Sequence, residues 1–164
     1  MMDKLWAPWR VKYITKIYKP AKGCIFCRML KEKKDAQNYI FARTKSCFAV
    51  LNIYPYNNGH LLILPNRHVA SLKKLEKHEK YELYDLIETC QSLLDETIKP
   101  QGYNIGINLG RVAGAGIASH LHFHLVPRWP GDSNFMPVTA QTKVISQSLN
   151  EVYKILKNAY KKRN

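Results

Sequence analysis

The 164-residue sequence contains few acidic residues, few cysteines and no long apolar run. No stretch approaches the roughly 18 apolar residues typical of a transmembrane helix, and Met1–Trp6 has no apolar signal core. We therefore expect a cytoplasmic protein with no membrane partner. Only 12 Asp and Glu oppose 26 Lys and Arg, so the formal net charge is +14. Nucleic acid, a membrane surface or a polyphosphate ligand would each suit that balance. The basic residues are spread along the chain, so charge alone does not identify the partner.

The four cysteines divide into a pair and two single residues. Cys24 and Cys27 form a C-x-x-C pair, whereas Cys47 and Cys90 stand in apolar surroundings and are expected in the core. In a reducing compartment such a pair is typical of a metal or redox site rather than a structural disulfide.

The pattern of apolar residues predicts an α+β fold with five strands in a mostly antiparallel sheet, a long central helix and a C-terminal helix. We find no internal repeat or linker, so residues 1–164 are expected to form a single domain. Residues 1–22, with two tryptophans, are interpreted as an N-terminal arm, and residues 154–164 as a basic tail. The predicted strands cover residues 38–43, 47–52, 60–65 and 103–108 and the histidine-rich stretch 119–127; helices are predicted over 24–34, 72–98 with Ser71 as N-cap, and 141–159.

Three histidines alternate with apolar residues in the stretch from Ser119 to Trp129. Because side chains along a strand point to opposite faces in turn, His120, His122 and His124 are expected to share one face. Leu121, Phe123 and Leu125 would then face a core. Pro127 cannot donate to a sheet ladder, so the strand is expected to end about there.

Neutral imidazole is a good nucleophile, and a second histidine beside it can donate to phosphate oxygens. The glycine-rich loop before the strand offers backbone N–H groups at Gly110, Gly114 and Gly116, which suit an anion. These features favour phosphoryl or nucleotidyl transfer. A metal site made of all three histidines is the rival, but the outer two lie too far apart on one strand to share a tetrahedral ion.

The H-x-H-x-H pattern with its apolar spacers resembles that of the histidine-triad nucleotide hydrolases and transferases. The resemblance extends over most of the chain. Residues 5–10 (LWAPWR) and 127–135 (PRWPGDSNF) look like the bacterial diadenosine-tetraphosphate phosphorylase branch. Other matching features are the Cys24–Cys27 pair, Asn52 before a proline-containing loop, Gly59–Pro65, Arg67–His68 and Asn108.

The resemblance implies roles for individual residues. His122 would attack the α-phosphorus and become adenylylated, and His124 would contact the α-phosphate. A serine that binds phosphate in many members is replaced by Gly116. The remaining implied contacts are Asn108 with the Gly114 and Gly116 amides for phosphate, Asn52 for the ribose, Phe26, Val50 and Ile53 for the base, and Trp129 over the leaving group. For Phe26, Val50 and Ile53, ordinary core packing is an equal alternative to contact with the base. For Trp129, structural burial is the alternative to contact with the leaving group.

The resemblance also implies a structural zinc site formed by Cys24, Cys27, His68 and His120, and no organic cofactor. The implied activity is cleavage of dinucleoside polyphosphates through adenylyl-His122, with inorganic phosphate as the acceptor. Water as the acceptor, adenylylated small molecules as substrates, a nucleic-acid end-processing role and a nucleotide sensor without turnover are the alternatives. Members of the family dimerise, so a homodimer or larger assembly is expected.

Overall fold

The computed structural model describes residues 23–133 and 144–163. The expected N-terminal arm, residues 1–22, lies outside the described residues, as does the start predicted for the last helix. Within the described ranges, no helix has the length and apolarity needed to cross a membrane.

The described chain forms a five-stranded antiparallel sheet, as predicted. The spatial order is β1-β2-β3-β5-β4, so the strand that carries His124 lies between β3 and β4. The strands are β1 (Ile40–Arg43), β2 (Cys47–Leu51), β3 (Leu61–Pro65), β4 (Gly102–Ile107) and β5 (Phe123–Arg128).

Three helices complete the described fold: α1 (Ile25–Glu32), α2 (Lys77–Thr97) and α3 (Leu149–Arg163). One face of the sheet joins α2 and α3 in the main core, which includes Leu121 and Leu125, with Phe123 packed against it. The other face packs under Phe26 of α1 in a smaller cluster. The apolar residues between the histidines therefore face the core, as predicted from their alternation.

The predicted start of the long helix was wrong by five residues. Ser71 caps only a 3-10 turn, Leu72–Lys74, after which Leu75 is extended. The α-helix begins at Lys77 because Glu76 and Glu79 form a reciprocal capping box.

The predicted bounds of the last helix also differ from the observed ones. Ser148 and Glu151 form reciprocal hydrogen bonds, Ser148 N–H to Glu151 Oε2 at 2.9 Å and Glu151 N–H to Ser148 Oγ at 3.3 Å. This capping pair starts α3 at Leu149. The helix continues to Arg163, whose guanidinium bonds Glu96. Residues 154–163, expected in a basic tail, are therefore helical.

The histidine-bearing strand begins later than predicted and ends at Arg128, close to the predicted end. The N–H of Leu121 donates to Val69 O at 2.6 Å, in the loop after β3, so the ladder starts only at Phe123. Pro127 is paired with Tyr103 of β4, whereas the β3 pairing ends at Leu125. Pro127, which has no backbone N–H, therefore lies beyond the end of the β3 pairing, so its missing N–H removes no hydrogen bond to β3.

Candidate active site

The triad histidines lie on the sheet face opposite the main core. His124 is paired with Leu62 on β3 and with Gly106 on β4, and neighbours in register share a face. The ring centroids of His122 and His124 are 5.1 Å apart. The ring of Phe26 lies 5.5 Å from the rings of both His120 and His122, so α1 covers the first two histidines.

His122 is held with one ring nitrogen available for chemistry. Its Nδ1 lies 2.8 Å from the carbonyl oxygen of His120, which can only accept a hydrogen bond, so Nδ1 carries the proton. The Nε2 lone pair is then free to attack an electrophile. Burial lowers the pKa of His122, which is 6% exposed, and this keeps the imidazole neutral near pH 7.

A fourth histidine, His60, lies beside the triad and was not assigned a role from the sequence. Its Nδ1 accepts from the Tyr56 N–H at 3.0 Å, so in the neutral ring the proton is on Nε2. That nitrogen lies 2.9 Å from His124 Nδ1. Burial, together with smaller effects of the neighbouring His124 and His122, lowers the pKa of His60 to about 3. His60 is therefore a neutral donor to His124.

The contact with His60 determines the tautomer of His124. Because His124 Nδ1 accepts, its own proton must lie on Nε2. Burial, together with a smaller effect of His122, lowers the pKa of His124 to about 4. The Nε2 atom is buried and has no hydrogen-bond partner among the described residues. The two adjacent triad histidines thus present opposite hydrogen-bonding groups, a lone pair at His122 and an N–H at His124.

The glycine-rich loop uses part of its backbone for its own turns. The Gly114 N–H donates to Arg111 O at 2.9 Å, and the Ala115 N–H to Gly110 O at 3.2 Å. Gly116 is exposed, and its amide makes no hydrogen bond to another described residue. Gly110 and Gly114 have positive φ values of 85° and 91°, which glycine adopts readily. Of the two amides predicted to hold phosphate, the one at Gly116 is the better placed to donate.

Asn108 lies beside the glycine-rich loop, and Asn52 lies beside His60. A Cβ atom on Gly114 would lie 3.9 Å from Asn108 Nδ2, so the asparagine amide adjoins the loop. Asn52 is 8% exposed; its Oδ1 accepts from the Tyr54 N–H, and its Nδ2 lies 3.3 Å from His60 Nδ1. Asn52 therefore also organises the loop between β2 and β3.

The residues predicted to surround the base differ in their exposure. Phe26 and Val50 are buried in the smaller core cluster, at 4% and 1%, whereas Ile53 is 48% exposed. Trp129 donates from Nε1 to Lys99 O at 3.1 Å, just beyond the C-terminal end of α2. Phe26 thus adjoins the triad directly, and the indole of Trp129 is fixed at the helix end.

The four residues predicted to bind zinc come together at the start of α1. Their ligand atoms all lie within 4.8 Å of one another. His120 Nδ1 is 3.4 Å from Cys24 Sγ and 3.6 Å from Cys27 Sγ, and His68 Nδ1 is 3.3 Å from Cys27 Sγ. Ligands about 2.0–2.3 Å from a tetrahedral zinc would be about 3.3–3.8 Å apart. The donor set and its spacing fit zinc.

A backbone carbonyl orients the His120 ligand. His120 Nε2 donates to Pro65 O at 2.9 Å, so Nδ1 keeps its lone pair for a metal. Next to His68, Arg67 forms a two-pronged ion pair with Glu79, which is 3% exposed. His122 and His124 lie outside this metal-capable group, which excludes the three-histidine arrangement among the described residues.

A HIT-domain family model matches residues 33–131 of the chain. The chain belongs to the HIT family. A relative from Mycobacterium tuberculosis, named AP-4-A phosphorylase, is 34% identical over 161 residues, covering 94% of this chain and 83% of the relative. Adenosine 5'-monophosphoramidase hnt1 of Schizosaccharomyces pombe is 31% identical, covering 65% of this chain and 74% of the relative.

The fold comparison agrees with the family assignment. The crystal structure of a Zn-bound histidine triad family protein from Mycobacterium smegmatis aligns with a TM-score of 0.69 at 23% identity, covering 86% of this chain and 95% of that one. The resemblance to the family noted from the sequence is thereby confirmed, and so is the predicted α+β fold.

Proposed function

We propose that this HIT protein is a nucleotidyl transferase that cleaves dinucleoside polyphosphates, such as diadenosine tetraphosphate, by phosphorolysis. The observation that carries the proposal is the hydrogen bond from His122 Nδ1 to His120 O, which leaves a neutral, buried nucleophile. The similarity to the mycobacterial protein named AP-4-A phosphorylase supports the substrate class.

In the first step His122 Nε2 attacks the α-phosphorus of the nucleotide. A nitrogen–phosphorus bond forms, and the bond from phosphorus to the bridging oxygen breaks, so the leaving nucleoside polyphosphate takes that electron pair. The positive charge that develops on the imidazole is stabilised by the carbonyl of His120 at Nδ1. The N–H of His124 Nε2 donates a hydrogen bond to the phosphoryl oxygens and keeps its proton.

In the second step an oxygen of inorganic phosphate attacks the adenylylated histidine. The nitrogen–phosphorus bond breaks, its electron pair returns to His122 Nε2, and ADP is released. Water attacking at the same point would give AMP instead, which is the hydrolase alternative. Asn108 and the Gly116 amide would bind the phosphoryl oxygens, and Asn52, Phe26, Val50 and Ile53 would hold the nucleoside.

We further propose that Cys24, Cys27, His68 and His120 hold a structural zinc ion, which would fasten the start of α1 to the loops that flank β3 and β5. In the structure, α1 packs on the sheet through the apolar cluster around Phe26. Metal analysis of protein purified without chelator tests this proposal: about one zinc per chain is expected, and a zinc-free, stably folded protein would contradict it.

The two edges of the sheet favour a homodimer formed through β4. At the β1 edge, side chains of α3 donate to strand carbonyls: Lys157 to Phe41 O at 3.0 Å and Tyr160 to Arg43 O at 3.2 Å. The outer edge of β4 pairs with no other described strand, and Ile105 there is 49% exposed. Uncovered edges readily pair with another chain. Sedimentation should show that Ile105→Lys lowers the assembly state, whereas Tyr84→Lys, on exposed α2 surface, should not.

The activity is tested by incubating the protein with diadenosine tetraphosphate, with and without inorganic phosphate. ADP and ATP formed only with phosphate would establish phosphorolysis, and AMP and ATP would establish hydrolysis. His122→Asn should abolish covalent labelling of the protein by substrate labelled in the adenosine. The matched control is His78→Asn, because the His78 side chain is 58% exposed on α2. Labelling retained in His122→Asn would refute the nucleophile, and no turnover in either condition would refute the substrate.

A further inference from the structure

Tyr56 contacts two of the four histidines through two different groups. Its backbone N–H donates to His60 Nδ1. Its ring lies almost parallel to that of His124, with centroids 5.6 Å apart and planes 13° apart. The same ring is tilted by 41° over His60 at 4.7 Å. One residue therefore packs against both members of the hydrogen-bonded histidine pair.

The imidazole of His124 needs this packing because its hydrogen bonding alone leaves the ring free to tilt. Only Nδ1 is bonded to a described residue, at 2.9 Å from His60 Nε2. The outer torsion of a histidine side chain has a broad energy profile. A planar ring against one face removes that freedom, and offset stacking of aromatic rings is itself favourable.

The loop that carries Tyr56 is tied down on both sides. The N–H of Asn52 donates to His60 O at 2.9 Å, which closes the base of the loop. Asn57 donates from Nδ2 to Pro127 O at 3.0 Å and to Asp132 Oδ2 at 2.7 Å, which joins the loop to the end of β5. The ring of Tyr56 is thus held against His124 by a backbone fixed to the same strand.

We propose that Tyr56 is a positioning residue whose ring fixes the plane of His124, so that the Nε2–H points at the phosphoryl oxygens during adenylyl transfer. The inference rests on the proposed function, because it assigns Tyr56 to that reaction. It predicts a role in the rate of transfer rather than in nucleotide affinity. The planar ring, and not the hydroxyl group, would carry the effect.

The test compares Tyr56→Phe, which keeps the ring, with Tyr56→Met, which keeps bulk but not planarity. The control is Tyr84→Met, the same change at a residue that is 72% exposed. Single-turnover labelling should be about tenfold slower in Tyr56→Met, since small misplacements of a catalytic group cost up to about a hundredfold. Labelling by Tyr56→Phe and Tyr84→Met should stay close to that of the unmodified protein. AMP affinity by calorimetry should change by less than about twofold.

A double-mutant cycle separates positioning from a general structural effect. In a His124→Asn background, Tyr56→Met should slow labelling little further, because residues that act through one another are non-additive. Equal slowing in both backgrounds would overturn the proposal, as would equal slowing by Tyr56→Phe and Tyr56→Met. If Tyr56→Met unfolds at the assay temperature, Tyr56→Leu takes its place. Failure of the proposed function is distinguishable, because the unmodified protein would then show no labelling at all.

Discussion

The hydrogen-bonded pair His60 and His124 should make the protein less stable in mild acid. Both pKa values lie below the ordinary histidine value near 6.5, at about 3 and about 4, chiefly because of burial. Below pH 6.5 the unfolded chain takes up protons at these positions and the folded chain does not. Stability from the neutral pair is therefore complete above pH 6.5 and declines as the pH falls towards 4.

The size of the effect follows from these pKa values. Each pH unit below 6.5 removes about 1.4 kcal/mol per histidine, so at pH 5 His60 alone accounts for a loss of about 2 kcal/mol. His124 is partly exposed, so its contribution should be smaller. The pair should together lower the free energy of unfolding by about 2–4 kcal/mol between pH 7.5 and 5. The pKa values of the Glu79 and Glu82 carboxyl groups are also lowered, so these groups lose their contribution to stability only at a pH below this range.

Urea unfolding at pH 7.5, 6 and 5 measures this loss, and the comparison with His60→Gln isolates the pair. The variant should start from a lower stability at pH 7.5 but lose about 2 kcal/mol less on acidification, since one titrating group is gone. His78→Gln, at an exposed histidine, controls for the removal of an imidazole. If the unmodified protein and His60→Gln lose the same stability between pH 7.5 and 5, the reasoning is refuted.

Three further outcomes follow from other contacts. Gly59→Ala should destabilise the fold by about 2 kcal/mol or more in thermal unfolding, because φ is 70° and a Cβ would lie 2.6 Å from Ile98 Cδ1; an unchanged melting temperature would contradict this. Glu79→Gln should lower the free energy of unfolding in urea by about 1–3 kcal/mol, because it removes the charge of the buried carboxylate that pairs with Arg67. Metal chelation should weaken AMP binding in calorimetry, with recovery on zinc addition, because Phe26 lies between Cys24 and Cys27 and contacts His122; equal affinity with and without metal would exclude that coupling.

The features predicted well from the sequence depend on local periodicity. Alternation placed Leu121 and Leu125 in the core and the triad on the other face. The helix and strand types also followed from apolar spacing, and the sheet is antiparallel as expected. The boundaries depend on particular hydrogen bonds that spacing does not reveal. Leu121 bonds to the loop after β3 instead of to a strand, and that single contact delays the start of β5.

His60 could not be assigned from periodicity, because its partner is 64 residues away along the chain. One signal was present in the sequence: His60 lies two residues before Leu62, on the same side of an extended run. Leu62 proves to be the register partner of His124, which brings the two histidines to one face. Without the strand pairing, nothing in the sequence connects them. Tyr56 was missed for a related reason, because a loop residue has no periodicity that would indicate its neighbours.

The four histidines act differently because they differ in which ring nitrogen is hydrogen-bonded and in whether the partner there is a donor or an acceptor. Carbonyl oxygens accept from His120 Nε2 and from His122 Nδ1, so each histidine keeps a lone pair on its other nitrogen. In His120 that nitrogen lies beside the thiols, and in His122 it is the proposed nucleophile. His124 differs because its neighbour at Nδ1 is a donor, His60, and not a carbonyl oxygen. Because the partner at Nδ1 is a donor and not an acceptor, His124 presents an N–H group at Nε2, where it would otherwise present a second nucleophilic lone pair. If a carbonyl oxygen stood in the place of His60, both His122 and His124 would present lone pairs, which would repel the oxygens of the proposed phosphoryl substrate. The buried donor at His60 therefore gives His124 the N–H group that its proposed role beside His122 requires.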